Sequence, residues 1–165
     1  MTVKREMIPT WDELERHKRI IPEINPAAVI AMLGIKRIGE EIQQSVLDVL
    51  QKTYNLSEGK FCALVVLHQH NETGIAPSEL AEKVGVTRAT ISNMLQRMER
   101  DGLVRIRPAA SDGRGKIVLL TEEGAAFMDK ILPPHYLRVT KLMEKLTEPE
   151  QKELIQLLKK LAADG

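Results

Sequence analysis

The stretch Pro77–Arg107, "PSELAEKVGVTRATISNMLQRMERDGLVRIR", decides how the rest of the chain is read. Pro77 suits the first turn of a helix, where its missing N–H would have had no partner, and Gly85 suits the stop. Thr87 is a good N-cap, so a second helix, "RATISNMLQRMER", opens after the short connection "GV" and runs to Asp101-Gly102. The apolar period then drops from 3.6 to 2 through "LVRIR"; the loop "PAASDGRG" follows, and "KIVLL" returns as the second strand of a hairpin. Helix, tight turn, helix and a hairpin with a basic tip predict a winged helix-turn-helix, in which the second helix enters a DNA major groove.

The second helix carries the chemistry. At 100° per residue, Ile91, Met94, Leu95 and Met98 share one face, and Ala89, Asn93, Gln96 and Arg100 lie opposite, flanked by Thr90, Ser92 and Arg97. That outer face holds small or hydrogen-bonding side chains and arginines but no acid, as a surface approaching base edges and phosphates requires. Arg88 is the candidate for a guanine edge, Asn93 for an adenine, and Thr90 or Ala89 for a thymine methyl. Ser78 and Thr87, near helix starts, suit phosphates, and Ser92, Arg97 and Arg107 complete the helix and first-strand set. At the hairpin tip, "SDGRGK", the glycines flanking Arg114 let backbone approach DNA closely while the arginine reaches into a narrow minor groove. Asp112 is placed to orient that guanidinium, and Lys116 is a phosphate contact. The plainer alternatives are a solvated helix surface and an Asp-Gly that only turns the chain.

Outward from this centre the chain reads as helical. Thr10 and Glu13 form a capping-box pattern opening a short helix to about Arg19, broken by Pro22 and Pro26. A long helix is expected from Ala27 to about Thr53, with Ile35, Ile38, Ile42, Val46 and Val49 as its stripe; its first part, "AAVIAMLGI", is apolar nearly all round and needs cover on more than one side. Ser57 is the expected N-cap of a helix through "KFCALVVLHQH". After Thr121 come "EEGAAFMDKIL", an interruption at Pro133-Pro134, "HYLRVTKLMEKL", and a last helix opened by Thr147 and Glu150 with Leu154, Leu157, Leu158 and Leu161 as its stripe. The expected fold class is mainly α with a small β-hairpin wing. Residues 1–25 form an N-terminal extension with a short helix, 26–56 and 121–165 a helical dimerisation region, and 57–120 the winged helix-turn-helix DNA-binding domain.

Composition narrows the function. The 165 residues are 43% hydrophobic, enough for a core, and carry one cysteine, so neither a disulfide framework nor a thiolate zinc site is expected and a reducing cytoplasm is the simple reading. No apolar run reaches the roughly 18 residues of a membrane span, and the charged start is unlike a signal peptide. Net charge is only +1, yet residues 76–120 hold eight bases against five acids. No nucleophile with its base, carboxylate pair or phosphate loop has credible spacing, so the chain reads as a non-enzyme needing no cofactor. His68 and His70, two apart on a helix, diverge by about 200° and suit no shared metal ion. Cys62 in "FCALVVL" reads as an inert core thiol, with redox sensing as the alternative; a winged helix serving only as a protein-interaction module would show an apolar or acidic outer face instead.

From about Ala27 onward the sequence resembles the MarR-type transcriptional regulators: "LSEGKFCALVVL", "SELAEKVGVTRATISNMLQRMERDGLVRIR", "SDGRGKIVLLTEEG" and "LTEPEQKELIQLLKKL" follow its pattern in order. The family's wing has Asp-Arg-Arg or Asp-x-Arg; here Asp112 and Arg114 hold the outer positions and Gly113 replaces the middle arginine. The resemblance implies a homodimer with interleaved terminal helices, reading a pseudo-palindromic double-stranded DNA site, and a repressor released by a small aromatic or phenolic acid. Tyr54, His68, His70 and Tyr136 are the candidate polar anchors for such an effector.

Overall fold

The structure is a computed structural model, and it describes residues 7–109 and 115–162. Its elements run α1 (Trp11–Lys18), α2 (Pro26–Tyr54), α3 (Glu58–Gln69), α4 (Pro77–Val84), α5 (Arg88–Arg100), β1 (Val104–Pro108), β2 (Lys116–Leu120), α6 (Glu122–Met143) and α7 (Glu148–Ala162). Two compact units divide the chain, Met1–Glu58 and Gly59–Gly165.

In the first unit, the Thr10–Glu13 capping box is formed: Glu13 N–H donates to Thr10 Oγ1 at 3.3 Å, and Thr10 N–H donates to the Glu13 carboxylate at 2.7 Å. Pro26, expected as a breaker, begins α2 as well as ending what precedes it. Asn25 caps the helix by accepting the Ala28 N–H, and a proline at the first helical position loses no intrahelical bond. The helix ends at Asn55, in the left-handed region at φ 52°, and the Leu56 N–H closes back on the Leu50 carbonyl. Along α2 only Pro26 and Leu50 are buried, while Met32, Ile35, Ile38 and Ile42 stay exposed.

The second unit holds most of the core: Leu64 and Leu67 of α3, Leu80 of α4, Ile91, Leu95 and Met98 of α5, Val104 and Val118 of the hairpin, and Met128 and Ile131 of α6 are all at most 2% exposed. Burial of a Leu, Ile or Met side chain contributes about 1.5–3 kcal/mol, so this set is what holds α5 and the hairpin in place. The strands pair antiparallel, Val104 opposite Leu120 and Ile106 opposite Val118, and Ile75 adds a bridge to Val118 on the other side of β2. Thr121 joins hairpin to α6: its hydroxyl donates to the Gly102 carbonyl and accepts the Gly124 N–H, and its own N–H reaches the Leu103 carbonyl.

One expectation is overturned. Pro133 and Pro134 do not interrupt the chain; α6 runs unbroken from Glu122 to Met143. The two prolines remove N–H groups that would have met the carbonyls of Asp129 and Lys130, and all four residues are exposed, so water can satisfy what is freed. Ile131 and Leu132, buried just before them, hold the helix together through the missing bonds.

Candidate nucleic-acid interface

The α5 helix sits as its periodicity requires. Ile91, Leu95 and Met98 are buried, whereas Arg88, Ala89, Thr90, Ser92, Asn93, Gln96, Arg97 and Arg100 are all exposed. Thr87 caps the helix: its Oγ1 accepts the Thr90 N–H at 3.1 Å and shares a 2.8 Å hydrogen bond with the Thr90 hydroxyl. Either oxygen can be the donor, so the Thr90 hydroxyl keeps further hydrogen-bonding capacity beside its methyl. Met94, assigned to the inner face, is half-buried, with its Cε 3.0 Å from where a Cβ on Gly59 would stand.

Four of the residues singled out in the sequence line one concavity of about 350 Å³: Ser78 from the start of α4, Arg88 and Ser92 from α5, and Lys116 from β2, over a floor of Ala76, Pro77 and Ile91. The α4 N-terminus opens here without a side-chain cap, because Ala76 has no oxygen to offer, and no acid is among the described lining residues. Free N–H groups, the positive end of a helix dipole and two cations make this a cleft for an anionic oxygen. A larger concavity of about 590 Å³ lies along α2, lined by Glu40, Glu41 and Asp48; it is acidic and holds none of the candidate residues.

Thr87, Ala89, Thr90, Asn93 and Arg97 extend from the cleft along the exposed face of α5, and Arg107 is exposed on β1. Asp112 and Arg114 fall outside the described residues. The acids at the far end of α5 are engaged. Glu99 Oε1 accepts the Ile106 N–H at 3.1 Å. Asp101 receives Lys60 Nζ at 2.9 Å with Arg100 at 3.7 Å, and the Lys60 ammonium foremost holds its carboxyl below the usual range. Lys60 and Ile75 carry no local signal in the sequence, because their partners are 41 and 43 positions away.

The candidate effector anchors divide between the two units. Tyr54 ends α2 in the first unit. In the second, His68 Nε2 lies 3.1 Å from Asp129 Oδ1, His70 Nδ1 lies 2.8 Å from the Val66 carbonyl, and Tyr136 is 57% exposed. A residue not anticipated, His135, packs its ring 4.9 Å from Phe61, with Nδ1 buried and without a hydrogen-bond partner. Burial, then the nearby Arg138 charge, lowers its pKa from the usual 6.5. Cys62 is half-buried on α3 between the buried Phe61 and Ala63. Among the described residues no three His, Cys, Asp or Glu side chains come together, and no helix is long and apolar enough to cross a membrane.

Two helices joined by a tight turn, an exposed polar and basic second helix, and a flanking hairpin define a winged helix-turn-helix protein. The chain belongs to the MarR family of transcriptional regulators. The family model described as MarR family matches residues 54–115. The chain is 29% identical over 151 residues to the HTH-type transcriptional repressor YetL of Bacillus subtilis, covering 92% of this chain and 90% of that protein. It is 33% identical over 111 residues to an HTH-type transcriptional regulator of Bacillus cereus, covering 67% and 72%. Among solved structures, Sco3205 from Streptomyces coelicolor, a MarR family regulator crystallised in complex with DNA, superposes with a TM-score of 0.68 at 23% identity over 93% of this chain and 88% of that one, a likeness of fold.

Proposed function

We propose that this chain is a homodimeric, sequence-specific double-stranded DNA-binding repressor, with α5 in the major groove and the β1–β2 wing against the flanking minor groove. The observation that carries it is the acid-free exposed face of α5 continuing into the Ser78–Arg88–Ser92–Lys116 cleft. Ser78, Thr87, Arg97, Arg107 and Lys116 hold phosphates; Arg88, Ala89, Thr90 and Asn93 meet base edges; Ser92 bonds either; Arg114, oriented by Asp112, enters the minor groove. Residues 57–120 form the DNA-reading part, and 26–56 with 121–165 the dimerisation part. Support for the latter comes from the apolar side chains left exposed on α2, α6 and α7, among them Ile38, Leu137, Leu157 and Leu161. The role is that of a binding protein without catalysis, acting in the cytoplasm beside its DNA.

A small-molecule effector belongs to this reading. The hydrogen bonds of His68 and His70 favour a structural task for both, and leave Tyr54 and Tyr136 as the freer anchors of the four. Selection of duplexes from a random-sequence pool by the full-length protein tests the proposal. Enrichment of a two-fold related motif with half-sites about 10 base pairs apart, or a multiple, is expected. A pool recovered without enrichment would refute it.

A further inference from the structure

Glu99 is an acid on a helix that otherwise faces outward with arginines and neutral polar groups, and no base or phosphate contact calls for it. The geometry of the wing gives it a task. Val118 donates its N–H to the Ile75 carbonyl at 2.9 Å and accepts the Ile75 N–H at 3.1 Å. In an antiparallel ladder both backbone groups of one residue point to the same side, so Val118 turns both away from β1. Its partner Ile106 therefore sits in a non-hydrogen-bonded pair and directs its own N–H to the outer edge of β1. There the Glu99 carboxylate accepts that N–H at 3.1 Å. The hairpin is held on both edges: by the Ile75 backbone against β2 and by the Glu99 side chain against β1.

We propose that Glu99 is a positioning residue for DNA binding, fixing the pitch of the wing against α5 so that Lys116 and Arg107 meet the duplex in the register that α5 sets. This rests on the DNA-binding reading above. A two-stranded hairpin alone is marginal, and among the described residues no further strand pairs with the outer edge of β1. A carboxylate on the last turn of a packed helix supplies a charge-assisted bond to that edge from a rigid base. Using the acid's charge in this way also explains why an anion is tolerated beside the surface that meets phosphates.

Affinity is measured by fluorescence anisotropy with the full-length protein on a duplex selected by the wild type, with hydrogen exchange followed at the Ile106 amide. E99A is expected to bind about tenfold more weakly, a loss of about 1.4 kcal/mol, and to exchange the Ile106 amide rapidly. E99Q keeps an acceptor oxygen and sheds a negative charge, so it is expected to bind as tightly as wild type or tighter and to keep that amide protected. The cost of K116A is expected to shrink severalfold in the E99A background and to persist in full in E99Q. Wild-type affinity in E99A, equal damage in E99Q and E99A, or an unchanged K116A cost in both backgrounds would overturn the proposal. If the wild type binds no duplex at all, the DNA reading fails, and the exchange data alone still report whether Glu99 holds the strand edge.

Discussion

Arg88 and Lys116 come from different elements, 28 positions apart, and end on one concavity with Ser78 and Ser92. Lys116 contacts the backbone of a duplex whereas Arg88 meets a base edge, so Lys116→Ala should weaken binding about equally for every sequence and, with one such lysine on each half of the dimer, reduce the salt slope by about two. Asn93→Ala should instead change preference at one or two base positions, at about 1–3 kcal/mol of discrimination; competition assays with single-base variants of the selected site separate the two behaviours. The pH response of stability should come in part from His135. Above its ordinary pKa of 6.5 the ring is neutral folded or unfolded, but below that the unfolded chain takes up the proton first, so stability falls as pH drops. Chemical denaturation at pH 7.5 and pH 5.5 should show this loss, and His135→Phe, which keeps an aromatic ring beside Phe61, should make it smaller; an identical pH dependence in the variant would count against the assignment. Little of this was legible from the sequence, because Nδ1 loses its partners through packing of α6 on α3.

At the scale of the element, α5 and its cap were readable because both depend on neighbours within four positions. Thr87 bonds Thr90, and Ile91, Leu95 and Met98 recur at helical spacing. The same locality explains why α4, the hairpin and both N-terminal capping patterns were found. Pro133-Pro134 misled for the converse reason: the steric rule is local, but whether freed carbonyls can reach water depends on which face of α6 is buried. The joint between hairpin and α6 was also invisible. Gly124 is buried there, and an added Cβ would overlap the Leu103 carbonyl, a backbone group that cannot swing aside. Gly124→Ala should therefore destabilise by at least the upper end of the roughly 1–3 kcal/mol typical of overpacking, measured by urea unfolding. A change of a few tenths would mean that the joint adjusts freely. Thr87→Ala should cost about 0.5–2 kcal/mol through the lost cap.

At the scale of the whole molecule, charge and apolar surface tell separate stories. Net charge is only +1, so attraction to a polyanion must come from the local excess around α5 and the wing rather than from the protein's sum. The apolar residues left open in each unit, such as Ile38 at 44% and Leu161 at 68% exposure, are the part of the sequence that the single chain does not bury. The all-round apolar "AAVIAMLGI" already signalled this demand for cover. Sedimentation should accordingly return twice the chain mass of 18.6 kDa, and Ile38→Glu or Leu161→Glu should shift the population toward monomer and weaken DNA binding with it. Monomeric wild type at micromolar concentration would contradict the dimer.

The central claim, that the α5 face and the wing meet a duplex mainly through its phosphates, is tested most directly by titrating salt against affinity for the selected site. A dimer neutralising phosphates with Arg97, Arg107 and Lys116 on each half should lose affinity by roughly a thousandfold or more between 50 and 200 mM salt, linearly on logarithmic axes. Affinity that stays level across that range would contradict it.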